Sequence, residues 1–205
     1  MHLNTLHRLA RNVLPMLLLQ IACATAFAQG GLLAAPQDIT QLTAKANQVI
    51  RGQIINVKIE PHPQYSNLQT VVVTLRVQET LKGPSSQIYT FRQVILGQPQ
   101  SRSAGYSRGA EVVLFMHSTN ENGVTSPVGV SQGIFTVTRD QNGRGTVMNG
   151  AGNRGLFGDT GVRERLSKLK MSPSMRSRIT AQEGGPLDLE TMQSMVRQLA
   201  AGEAR

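Results

Sequence analysis

The feature that most constrains the fold is a succession of alternating apolar segments between residues 48 and 138, punctuated by glycine and proline. Residues 48–60 and 68–81 are predicted as two long strands, because apolar side chains recur at every second position. In the first of them the apolar phase slips by one residue beside Gly52, which is what a β-bulge produces. A third strand is predicted over residues 88–95.

The segment at residues 111–117 has a different pattern, since it is apolar on both faces. This predicts a buried central strand. One further strand, or two short ones, is predicted over residues 128–138. Five or six short strands with bulges and glycine corners favour a mainly β fold, a small antiparallel OB-like barrel that is closed or partly open.

The barrel is predicted to occupy residues 38–140, after a flexible lead at residues 29–37. Asp38 is the expected N-cap of a short helix before the first strand. After residue 140 the chain becomes glycine-rich and then basic, and we predict an irregular segment over residues 141–186. A C-terminal amphipathic helix is expected within residues 187–200, with an apolar face made by Leu189, Met192, Met195, Val196 and Leu199.

The N-terminus has the pattern of a secretory signal peptide. Arg8 and Arg11 precede an apolar run, and an A-x-A site ends at Ala28. The run is shorter than the ~20 residues that a membrane span needs. We predict cleavage after Ala28 and an exported protein, periplasmic or extracellular. Acylation of Cys23, which would make a lipoprotein, is the minor alternative.

The cysteine content argues against folds that are held together by disulfides or by metal-bound thiolates. Cys23 is the single cysteine, so neither a disulfide framework nor a thiolate-rich metal site is expected.

Loss of Arg8 and Arg11 with the leader leaves 19 basic against 12 acidic side chains, a net charge of +7. His62 and His117 are isolated in sequence and are interpreted as surface histidines at strand ends. No metal and no cofactor is predicted.

Two short motifs resemble catalytic or nucleotide-binding signatures. G-x-S-x-G at residues 129–133 would need a helix after it and then an acid and a histidine, but no histidine follows His117. Ser131 is therefore assigned no catalytic role, and the chain is not predicted to be an enzyme. G-x-G-x-x-G at residues 150–155 would need a helix that opens from it, and residues 156–159 do not begin one.

The basic segment at residues 163–178 is a candidate contact for a polyanion. A dense cationic segment outside the membrane could bind anionic lipid head groups or acidic polysaccharide. Nucleic acid is not favoured, because aromatic residues rarely alternate with basic ones here. The alternative is a solvated helix face and linker. The six candidates are Arg163, Arg165, Lys168, Lys170, Arg176 and Arg178.

Three motifs together resemble a known family. They are V-x-E-x-L-K-G at residues 77–83, G-x-E-V-V-L-F at residues 109–115 and V-G-x-x-Q-G-x-F-x-V at residues 128–137. With the strand opening at residues 49–54, they are similar to the netrin-module and tissue-inhibitor-of-metalloproteinase-like group, specifically its small secreted bacterial members. The resemblance covers residues 38–140.

This resemblance implies an OB-type five-stranded barrel with flanking helices, noncatalytic and used for protein contacts. The animal inhibitors chelate a protease's zinc through an N-terminal Cys-x-Cys, which this chain lacks, so no inhibitory residue is carried over. The resemblance implies structural roles for Leu81, Lys82, Gly83, Gly109, Glu111, Gln132, Gly133 and Phe135, with Gln132 left open between a structural and a recognition role.

The function expected from the sequence is that of a noncatalytic exported module that binds a protein partner. The alternative is a protein that binds a polyanion or an anionic membrane surface through residues 163–178. The sequence leaves the partner's identity and the oligomeric state open.

Overall fold

The computed structural model describes residues 35–95, 105–158 and 160–203. The predicted export signal, the Cys23 alternative and most of the predicted lead lie outside the described residues. From Ala35 onward the chain forms one compact unit.

The secondary structure begins with a short helix and continues as strands, with three further helices near the C-terminus. In chain order the elements are α1 (Ile39–Lys45), β1 (Gln48–Pro61), β2 (Gln69–Lys82), β3 (Ile88–Val94), β4 (Glu111–Met116), a 3-10 turn (Val130–Gly133), β5 (Ile134–Arg139), β6 (Gly145–Asn149), α2 (Thr160–Ser167), α3 (Pro173–Ala181), β7 (Leu187–Asp188) and α4 (Leu189–Glu203).

The strands form one antiparallel sheet in the order β3-β2-β1-β4-β5-β6-β7. The predicted mainly β architecture is confirmed, but the sheet has seven strands rather than five or six. The additional strands, β6 and β7, lie beyond residue 140, so the sheet does not end at the predicted boundary. Within the described ranges β3 and β7 do not pair with each other, and strand pairing leaves the sheet open.

The first two strands make a long hairpin with three irregularities of register, one of them between Arg51 and Gly52. The bulge predicted beside Gly52 is confirmed. At this point the chains approach closely, since a Cβ on Gly52 would lie 2.6 Å from the carbonyl oxygen of Arg76. Bulges bend and twist the strand that carries them, so the hairpin is curved.

β4 is the middle strand of the seven and carries core residues on both faces. Val113 and Phe115 pack in a cluster with residues of all four helices, whereas Leu114 and Met116 pack in a second cluster against the curved hairpin. The predicted buried central strand is therefore confirmed. The helices cover one side of the sheet, and side chains of β1, β2, β3 and β4 pack together with Tyr106 on the other.

The prediction of irregular chain over residues 141–186 is wrong, since this stretch contains β6, α2 and α3. The buried apolar residues described in these two helices are few, namely Val162, Leu166 and Ile179. Because so few positions are apolar, the sequence shows little of the periodicity by which a helix is predicted. The predicted C-terminal helix is present as α4, and Met192, Met195 and Val196 are fully buried. Among the described residues no helix is long and apolar enough to cross a membrane.

Candidate functional site

A groove lies between α1, α2 and α4, with a volume of about 620 Å³. Its apolar wall includes Ala44, Leu169 and Leu199, and the two leucines are only partly buried against the main core. Arg165 and Lys168 stand at its edge, with side chains 53% and 71% exposed. We refer to this feature as the helical groove. Its volume falls within the ~300–1,000 Å³ typical of ligand sites.

The first wall of the helical groove is α1, and it is fixed at both ends. Asp38 caps the N-terminus, where its Oδ1 accepts hydrogen bonds from the amides of Thr40 and Gln41 at 2.7 and 2.8 Å. The Gln41 side chain accepts a bond from the Asp38 amide in return, which completes a capping box. The predicted N-cap is confirmed.

At the other end of α1 the ammonium group of Lys82 donates a 2.7 Å hydrogen bond to the carbonyl oxygen of Thr43. The Ala44 carbonyl lies 3.5 Å from the same nitrogen. A cation on the last carbonyls of a helix satisfies acceptors that lack a partner within the helix, and it complements the helix dipole. Lys82 therefore joins the end of β2 to the helix that lines the groove.

The six basic candidates do not form one surface. The Arg163 side chain donates to the carbonyl oxygen of Phe157 at 3.3 Å, and Arg176 donates to that of Ser167, the last residue of α2, at 2.7 Å. These two arginines therefore support the fold of the helical layer. Lys170 is exposed, and Arg178 belongs to α3.

Arg165, in the last turn of α2, and Lys168, the first residue after that helix, both line the groove. Lys168 pairs with Glu164 at 3.4 Å on a fully solvated surface, and Arg165 lies 3.9 Å from Asp38. The exposed Lys168–Glu164 pair contributes little, typically ~0–1 kcal/mol, so Lys168 can turn toward an incoming anionic group at small cost. The side chain of Arg165 is 53% exposed, although its partner Asp38 is buried.

Three of the residues of the first family motif lie where β2 ends. Leu81 is buried in the cluster beneath the helices, next to the Lys82 contact already described. Gly83 has φ +86°, and a Cβ there would also lie 2.7 Å from the carbonyl oxygen of Asn47. In the L-K-G sequence, Leu81 thus packs in the core, Lys82 caps α1 and Gly83 forms a turn. A residue with a side chain would fit poorly at that turn.

Glu111 begins β4 and connects two arginines. Its carboxylate accepts two hydrogen bonds from Arg139, at 2.7 and 2.8 Å, and one from Arg51 at 2.7 Å. Arg139 and then Arg51 hold the pKa of Glu111 below its usual value of 4.5 against the opposing effect of burial. Gly109, just before it, is a turn residue with φ +89°.

A second carboxylate of the motifs, Glu79, was not singled out by the sequence reasoning. It accepts hydrogen bonds from Gln193 and Arg197 and so ties α4 to β2. These partners are 114 and 118 residues away in sequence, which is why no local pattern reveals the contact. The helix that forms one wall of the groove is held to the sheet by this residue.

The sequence leaves Gln132 open between a structural and a recognition role, and the structure buries it. Its Oε1 accepts a 2.7 Å bond from the amide of Gln37, and its Nε2 donates to the carbonyl oxygen of Ala35 at 3.2 Å. The side chain is 7% exposed. Residues 35–37 were predicted within a flexible lead, but Gln132 holds them against the sheet.

Gly133 and Phe135 complete the last motif. A Cβ on Gly133 would lie 2.4 Å from the carbonyl oxygen of Val128, so the corner before β5 requires glycine. Phe135 is fully buried, and its ring centroid lies 5.5 Å from that of Phe115 on the paired strand. Both residues serve the packing of β4 against β5.

The two enzyme-like motifs form turns. G-x-S-x-G corresponds to a left-handed residue at Gly129 followed by a 3-10 turn that leads directly into β5, and Ser131 is exposed. G-x-G-x-x-G follows β6 as a series of turns, and α2 begins only at Thr160. Asn153, within it, is buried and donates to the carbonyl oxygens of Val147 and Gly185 at 2.9 and 2.8 Å.

The interpretation of His62 as a surface residue is wrong, since it is 3% exposed. Its Nε2 bonds to the carbonyl oxygen of Asn122 at 2.9 Å, its Nδ1 accepts from the amide of Gln64 at 3.2 Å, and the ring stacks on Tyr65. His117 is exposed just after β4. Over the described part of the chain, no three His, Cys, Asp or Glu side chains come together as a metal site would require.

No family model matches this chain, and no curated protein matches it in sequence.

Proposed function

We propose that this protein is a noncatalytic exported module that binds a protein partner, and that the helical groove receives an acidic, partly apolar segment of that partner. The observation that carries the proposal is the combination of an apolar wall with two exposed cations at one edge of a groove of about 620 Å³. Export and the absence of catalysis enter from the sequence.

The apolar part of the argument rests on Leu169 and Leu199. Both pack on the main core with one side and remain partly exposed toward the groove. Covering such surface contributes about 25 cal/mol per Å² removed from water. A segment with an apolar side chain would gain from lying there.

The acidic part rests on the charges near the groove. Arg165 and Lys168 line it, and Lys45 lies in the last turn of α1. Two carboxylates stand against these three cations, Asp38, which caps the first turn of α1, and Glu164, which pairs with Lys168. The local excess of positive charge has the same sign as the net charge of the chain, +9. An acidic segment therefore fits this surface better than a basic one.

The alternative, binding to a polyanion or an anionic membrane through residues 163–178, has less support. Arg163 and Arg176 are engaged with carbonyl oxygens of the protein itself, so the segment does not present six cations on one face. Binding by charge alone would also leave the apolar wall of the groove without a role.

The likeness to the netrin-module group, with an OB-type barrel, belongs to this proposal. Its support is a partial closure beneath the curved hairpin. The loop after β4 forms a bridge between Met116 and Pro127, and its Thr125 amide donates a 2.9 Å hydrogen bond to the Arg92 carbonyl of β3. Through this contact the edge strand β3 meets the loop that follows β4, although β2 and β1 lie between β3 and β4 in the sheet order. A partly open barrel would bring these two parts together in the same way.

The experiment is affinity capture from the native envelope and culture fluid with the full chain expressed with its own leader, eluted at low and high salt, with mass-spectrometric identification. The proposal predicts a discrete protein that resists moderate salt, because part of the contact is apolar. Cosedimentation with vesicles containing anionic lipid is run in parallel. Recovery of lipid or polysaccharide alone, lost as salt rises, would overturn the proposal in favour of the alternative.

A further inference from the structure

β3 is the first strand in the sheet order and has β2 on one side only. The direction of its backbone groups follows from its hydrogen bonds. The Gln87 carbonyl accepts from Val77 and the Ile95 amide donates to Gln69, so the odd-numbered residues around β3 face β2. The Arg92 carbonyl instead accepts from Thr125 on the other side. The even-numbered residues, Ile88, Thr90 and Arg92, therefore direct their backbone groups away from the sheet.

This outer edge is occupied at both ends and open in the middle. Thr125 bonds to the Arg92 carbonyl, and the Ser86 hydroxyl bonds to the Ile88 carbonyl at 2.5 Å. The backbone of Thr90 is directed away from β2, and among the described residues no turn or loop bonds to its amide or carbonyl. An edge of this kind is a template for an added strand.

The side chains beside the open edge indicate what it would accept. Ile88 is 48% exposed, and Arg76, exposed on β2, lies opposite it. On the same face Lys58 and Arg92 share the single carboxylate of Glu60. The face is therefore positively charged beside one exposed apolar residue.

We propose that the outer edge of β3 binds a short extended segment of a partner protein as an added antiparallel strand, with an acidic side chain near Arg76 and an apolar one near Ile88. Backbone bonds to Thr90 give the affinity, and the two side-chain contacts give the selectivity. A second copy of this chain is less suitable, because joining two β3 edges would place two positively charged faces side by side and bring no acidic side chain of β3 near Arg76.

The test uses linear peptides of about ten residues, selected from a displayed random library against the full chain. Thr90→Pro removes the outward amide without removing a backbone hydrogen bond to β2, and proline is tolerated at such an edge position. Thr90→Val is the matched control, since both substitutions lose the 3.2 Å contact between the Thr90 and Thr74 hydroxyl groups. We expect acidic peptides whose affinity falls about tenfold in Thr90→Pro and is unchanged in Thr90→Val.

Amide hydrogen exchange gives an independent readout, because the Thr90 amide is expected to exchange freely alone and to become protected when a peptide is bound. Equal binding to both variants, or no peptide with a Kd below about 1 mM, would overturn the proposal. A dimer of the free protein that Thr90→Pro dissociates would overturn it in favour of a second copy. Peptides lost in Lys168→Glu but not in Thr90→Pro would support the helical groove and refute the edge.

Discussion

Lys82 should contribute to stability far more than its partly exposed position suggests, because it joins β2 to the C-terminus of α1. Its ammonium group donates a 2.7 Å bond to the Thr43 carbonyl and lies 3.5 Å from that of Ala44. A hydrogen bond that involves a charged group contributes about 1.5–3 kcal/mol, and the interaction with the helix dipole adds about 0.3–1 kcal/mol. Because water can reach the site, we take the lower end, about 1.5 kcal/mol, for Lys82→Met.

The assay is urea unfolding monitored by circular dichroism, with thermal unfolding as a second measurement. For a chain of this size a loss of about 1.5 kcal/mol lowers Tm by about 3–6 °C. Lys45→Met is the matched control, since Lys45 lies in the last turn of the same helix but its ammonium bonds only the Gln37 side chain among the contacts described, in a solvent-exposed hydrogen bond. A Lys82→Met variant within about 0.5 kcal/mol of Lys45→Met would refute the capping role.

Two further predictions concern the family motifs. Gly133→Ala should destabilise the protein by about 1–3 kcal/mol, because its Cβ would meet the Val128 carbonyl at 2.4 Å, whereas Gly143→Ala, in open space with φ +77°, should cost less in the same urea unfolding experiment. Equal losses would contradict this reading. The Glu111 carboxylate, whose pKa is lowered when folded, stabilises the protein above its ordinary value of 4.5, and this contribution is lost as the pH falls through the lower folded pKa. Glu111→Gln should therefore reduce the loss of stability as the pH falls below about 4.5, and an unchanged acid dependence would argue against the ion pairs.

The sequence was sufficient for features that depend on short-range periodicity. The phase slip at Gly52, the two-faced apolar segment of β4 and the apolar face of α4 each predicted what the structure has. Alternation and helical spacing are written into consecutive residues, so such elements can be read without knowledge of the tertiary structure.

The features that were missed depend on contacts distant in sequence. Gln132 holds residues 35 and 37, and Glu79 holds α4, across separations of 95 to 118 residues. The two short helices α2 and α3 were missed because few of their side chains reach the core. The helical groove itself exists only once α1, α2 and α4 are packed together, and of its residues the sequence had singled out only the cations and Leu199.

The central claim, that the helical groove binds the partner, is tested most directly by comparing Lys168→Glu with Arg144→Glu for the affinity of the captured protein. Arg144 is an exposed residue of the turn between β5 and β6, outside the lining of the groove and on the far side of the sheet order from β3. Both substitutions change the net charge equally. The account predicts a loss of at least about tenfold in affinity for Lys168→Glu and little change for Arg144→Glu. Equal losses would show that binding follows overall charge, and no loss in either would place the partner elsewhere on the molecule.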